Sequence, residues 1–229
     1  MLRFVVFLIF IFLMSVKSVV AQIDNYDWWL WSSIDIEKKL NKRWNTIAGF
    51  EYRWKDGVAL TDQVRGSLGV DYKLHKYLKL GVAYTLIADK KQKKDIFLYR
   101  NRFTFNAMTS YKFKRFTASW RPRLQATFYD PTERDADELE DYRWVVLNRF
   151  GLNYNIRKFP LKPYIQFEIF NRIFSDLKPS YNQNRFSAGL DIGIGKKHEL
   201  DIGYKQENEL SEYKKERFDV VYAGYTFSF

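Results

Sequence analysis

The chain contains no cysteine. That absence removes a disulfide framework, thiolate metal ligation and any cysteine nucleophile. Histidine is nearly as scarce, with only His75 and His198, and both lie in stretches that read as short turns. A Ser-His-Asp set at the opposite rim is therefore excluded, and the sequence is expected to be neither an enzyme nor the holder of a cofactor or metal. Beyond the first residues there is no long apolar run, so no later segment supplies the ~20 apolar residues of a membrane helix. Acids are in deficit: 27 Asp and Glu against 38 Lys and Arg leave a net charge of +11. In a cytoplasmic protein such a balance points to nucleic acid.

The start of the chain argues against that partner. Arg3 precedes an unbroken apolar run from Phe4 to Met14, and Val19-Val20-Ala21 stands before Gln22. A basic start, a short apolar core and a small residue at the cut make residues 1–21 a secretory signal peptide, cleaved near Ala21-Gln22. Residues 22–229 are then the exported chain, and no nucleic acid is expected to be its partner.

What the exported part has in excess is aromatic residues, 19% of the whole chain, and they fall on alternate positions. At the end of the chain Val221, Ala223, Tyr225, Phe227 and Phe229 share one face, against Tyr222, Gly224, Thr226 and Ser228. Trp44, Thr46, Ala48, Phe50, Tyr52 and Trp54 repeat the pattern, as do Leu78, Leu80, Val82, Tyr84 and Leu86. Period two means strands, here of about ten residues, the length that crosses a bilayer in a tilted barrel. Strands in lipid must be paired on both edges, so the fold expected is all-β: a single antiparallel transmembrane β-barrel of about 10–12 strands. Eleven segments can be counted, and an odd number conflicts with both termini lying on one side. Either Trp28–Glu37 is not a full strand, or an upstream crossing is hidden, or one segment has been merged or split. Pro122, which cannot donate to a ladder, predicts a bulge. Val145 and Leu147 break the alternation and predict a second bulge or a change of register.

Charge sorts by end. Short turns hold Lys38, Lys42, Arg43, Lys76, Lys112, Lys114, Arg115, Lys158, Lys196 and Lys197, whereas residues 130–141 hold seven acids against Arg134 alone. Basic turns suit the anionic head groups of the inner leaflet, so outer-membrane lipids are expected partners. The acidic loop lacks the spaced Asp/Asn and Gly of an EF-hand and reads as a solvated surface.

On the polar face lie Arg53, Arg65, Arg100, Arg102, Arg121, Arg123, Arg143, Arg149, Arg172 and Arg185, with Glu51, Asp71, Glu168, Asp191 and Asp201. Two readings stand side by side. Rings of arginine select anions in pores, and arginine–carboxylate networks also fill small barrels, leaving no channel.

The Trp-rich opening DWWLWSSIDIEKKLNKRWNTIAGFEYRW, the RGSLGVDYKL hairpin, the YRNRFTF strand and the terminal Phe together resemble the exported outer-membrane proteins grouped as domain of unknown function 2490. The resemblance implies a barrel in the outer membrane of a Gram-negative bacterium and supplies no activity. The closing strand is also similar to those of bacterial outer-membrane barrels generally. That likeness implies that Phe229 is the signal read by the barrel assembly machinery.

Overall fold

Each alternating stretch becomes a strand because its two faces meet two different surroundings. A computed structural model describes residues 28–129, 141–175, 182–210 and 215–229. The export segment and residues 130–140 of the acidic loop lie outside the described residues. The strands are β1 (Trp28–Lys39), β2 (Trp44–Lys55), β3 (Leu60–His75), β4 (Leu78–Lys91), β5 (Ile96–Phe113), β6 (Phe116–Tyr129), β7 (Tyr142–Tyr154), β8 (Leu161–Ser175), β9 (Asn182–Ile194), β10 (His198–Leu210) and β11 (Lys215–Ser228). They pair in sequence order and close on themselves, so no edge is left unpaired.

The closing pair corrects one expectation. β1 and β11 run parallel, from Trp28 opposite Asp219 to Glu37 opposite Ser228, while every other pair is antiparallel. Trp28–Lys39 is a full strand and enters the sheet at the loop end. Eleven alternating crossings leave the first and last strands pointing the same way, and parallel pairing is the closure that remains. Phe229 completes it: its N–H donates to Glu37 O at 3.0 Å, and Lys39 N–H donates to Phe229 O at 3.2 Å.

The bulges also fall differently. Pro122 produces none: the β5 ladder lapses beside it and resumes in the same register, and Pro122 stays opposite Asn148 of β7. Its missing donor faces the lapse. A register shift does occur between Trp144 and Val145, and the extra residue is Ile173 of β8. Val145 and Leu147 keep their alternation and point into the lumen, where Leu147 is buried. Elsewhere Asp62 is the extra residue against β2, and Leu74 the extra residue against β4.

The outer face is apolar and exposed on every strand, as at Ile34, Phe50, Leu68, Val82, Phe105, Trp120, Phe150, Ile165, Phe186, Ile202 and Val221. A continuous belt of that kind is far beyond the apolar patches that water-soluble monomers expose. At the turn end it is edged by aromatic pairs, Trp44 with Tyr72, Tyr77 with Tyr111 and Phe116 with Tyr154. Lys38, Lys76 and Lys114 place their ammonium groups over Phe229, Tyr77 and Phe113. Aromatic rings beside lysine mark a membrane–water boundary. No helix among the described residues is long and apolar enough to cross a membrane.

The barrel lumen as candidate functional site

Because side chains alternate across a strand, the inner face is fixed once the outer belt is placed. The inner face divides into two halves. The half nearer the loops contains a cavity of about 550 Å³ lined by Arg53, Arg65, Arg100, Arg102, Arg123, Arg143, Arg149, Arg172, Arg185 and Lys205. Its lining carboxylates are Glu51, Asp62 and Glu207, and Trp29, Trp31, Phe170 and Phe218 add aromatic surface. Nine of the predicted arginines are therefore brought together. Arg121 sits opposite Arg149 in register but does not line the cavity.

The carboxylates are already engaged. Glu51 accepts from Arg53 at 2.6 Å and lies 3.4 Å from Arg65. Glu207 accepts from Arg185 Nε at 2.7 Å, and Asp62 is 3.4 Å from Lys55. Behind the lining, Glu168 accepts from Arg149 at 2.6 Å and from Arg185 at 2.9 Å, and Asp89 pairs with Arg100. Three cations differ. Arg102 donates to the Thr127 hydroxyl, at 3.0 Å. Lys205 lies over the rings of Trp31 and Tyr222. Arg123 has a buried Nε without an acceptor. None of the three is in an ion pair at salt-bridge distance among the described residues.

The wall around the cavity is packed. Trp31, Tyr164, Val220 and Tyr222 form a buried cluster, and Ile87, Leu147 and Glu168 are exposed by 2% or less. The Tyr164 and Tyr222 hydroxyls meet, and Tyr164 donates to Asp201 at 2.6 Å. Their rings lie over Gly189 and Gly203, where any Cβ would collide with a tyrosine oxygen.

The half nearer the turns carries both signs, with the remaining predicted acids among them. Predicted Asp71, Asp191 and Asp201 fall here, away from the cavity, with Asp191 directly opposite Asp201. Asp71 is 3.0 Å from Lys79. Asp35, opposite Gly49 on β1, joins them; the run of tryptophans at the head of β1 hid its alternation. Asp62, Asp89, Glu207, Lys205 and the two tryptophans were missed as lumen residues. Lys205 and Glu207 continue the polar row of Asp201 and Gly203, so the signal was present there. Asp62 and Asp89 read as loop because both faces of a strand are polar once it rises past the apolar belt.

The family described as "Protein of unknown function (DUF2490)" matches residues 28–215. Among solved structures, the chain is similar to the beta domain of the Bordetella autotransporter BrkA, with a TM-score of 0.53, 15% identity and coverage of 83% of this chain and 86% of that one. It is also similar to an anion-selective porin from Comamonas acidovorans, with a TM-score of 0.39, 12% identity and coverage of 82% of this chain and 53% of that one. No curated protein matches.

Proposed function

The chain belongs to the DUF2490 family, and from that premise we propose that it is a small barrel of the bacterial outer membrane whose lumen favours anions. The observation that carries the proposal is the imbalance of the loop-side cavity. Nine arginines and Lys205 line it against three carboxylates, and in a narrow lumen an ion feels the nearest charges least screened. The loops face outward and the basic turns face the periplasm, where lysine suits the inner leaflet. Phe229 serves as the signal read by the barrel assembly machinery.

The test is a planar bilayer under a salt gradient. The expected result is a small conductance with a reversal potential of anion sign, shifted toward cations by replacing Arg102 and Arg123 together with Ser. A cation-selective wild type would reject the proposal. The burial of Ile87, Leu147, Glu168 and Val220 inside the barrel favours a second reading, a closed barrel acting as a structural or interaction subunit. A silent bilayer selects it.

Sidedness is checked separately. Cysteine at Lys93, between β4 and β5, should react on whole cells with an impermeant maleimide, and cysteine at Lys114 should react only after lysis. The reverse pattern would invert the orientation.

A further inference from the structure

We infer that the loop-side cavity retains a multiply charged anion, one scaffold bearing two or more phosphate or carboxylate groups. The inference rests on the anion-favouring reading of the lumen and goes beyond it by naming the ligand class. Its first support is spacing. Arg102 stands opposite Thr127 and Arg123 opposite Asn106, so their backbone positions are four residues apart along the sheet, about 13 Å at the strand rise of ~3.4 Å. Two cations rooted that far apart suit an anion with more than one charged group. The cavity of about 550 Å³ lies within the ~300–1,000 Å³ range of small-molecule sites.

The second support is the donor inventory. Arg123 Nε and Trp31 Nε1 are buried without acceptors, and Trp31 is only 3% exposed. Arginine and tryptophan side chains can only donate, so a ligand that satisfies these two N–H groups brings acceptors. The lining carboxylates, engaged by cations of the barrel itself, offer little repulsion. Lys205, on the opposite wall, supplies a third cation.

The third support is direction. An anion that moved from the cavity toward the β9–β10 turn would meet the facing pair Asp191 and Asp201. Like charge there holds the anion where the cations are.

The test uses the purified full barrel in detergent at matched ionic strength, titrated with tripolyphosphate, citrate and orthophosphate. Tripolyphosphate is expected to bind at least about tenfold more tightly than orthophosphate, the ratio that one added charge-assisted contact supplies. Citrate binding equally well would assign the site to polyanions generally, and citrate failing would assign it to polyphosphates. Replacing Arg102 and Arg123 with Ser should abolish the preference, while Arg157→Ser at the turn rim should leave it intact. If the double variant fails to fold, Lys205→Gln is read instead, with the same direction. Equal binding of orthophosphate and tripolyphosphate, or a preference untouched by these variants, overturns the inference. Anion-selective conductance that tripolyphosphate neither blocks nor binds would defeat the inference alone, whereas cation selectivity would defeat the reading beneath it.

Discussion

Glu168→Ala is expected to destabilise the folded barrel by about 3–5 kcal/mol, the cost of removing one partner from a buried ion pair. Glu168 is 1% exposed. One oxygen accepts from Arg149 Nε at 2.6 Å and the other from Arg185 at 2.9 Å. The carboxylate thus ties β7, β8 and β9 through their inner faces. Alanine leaves both guanidinium groups inside the barrel with less opposing charge, and among the described residues Arg185 retains Glu207 as its carboxylate. Glu168→Gln keeps the volume and one acceptor, so its loss should be clearly smaller. Urea unfolding in micelles, followed by tryptophan fluorescence and by the heat-modifiable gel band, measures both. A Glu168→Ala midpoint indistinguishable from wild type would show that the pair contributes nothing.

Gly203→Val should be more damaging still and prevent a folded band from forming. A Cβ at this position would lie 2.5 Å from Ala188 O, 2.5 Å from the Tyr222 hydroxyl and 2.7 Å from Gly189 Cα. The tyrosine could swing away. The two backbone atoms belong to the neighbouring strand and cannot move without opening the β9–β10 ladder, so the cost exceeds the about 1–3 kcal/mol of ordinary overpacking. Gly66→Ala is the control, because nothing lies within 4 Å of its added Cβ. If Gly203→Val assembles as well as Gly66→Ala, the glycine floor beneath Tyr164 and Tyr222 is not needed.

The contrast between those two glycines measures what the sequence can disclose. Both stand in alternating strands and look alike on paper. Gly66 faces outward, whereas Gly203 carries an aromatic ring from the adjacent strand, a fact of register and curvature that no local pattern encodes. The alternation did locate the strands, the polar row and nine arginines of the cavity, because lipid on one side and the lumen on the other impose a two-residue period. It faded where that contrast fades. At the head of β1 consecutive tryptophans satisfy both faces, and near Asp62 and Asp89 both faces are wet. The sorting of charge between the two halves of the lumen depends on strand stagger, so Arg123 and Asp191 appeared as members of one undivided set. The odd segment count was the strongest clue to the closure and looked like an error of counting.

That parallel closure has a practical corollary for rewiring the chain. In a barrel with an even number of strands, the first and last lie head to tail, and a hairpin-length link can join them in a circular permutant. Here Trp28 opens β1 at one rim and Phe229 follows β11 at the other. A link between them must span the height of the wall. Twelve residues of β1, rising ~3.3 Å each at a tilt of ~40°, put that height at about 30 Å. No tight turn bridges such a gap, so permutants of this barrel need a long tether. The same separation lets a reporter fused before Trp28 and another fused after Phe229 sample opposite sides of one membrane.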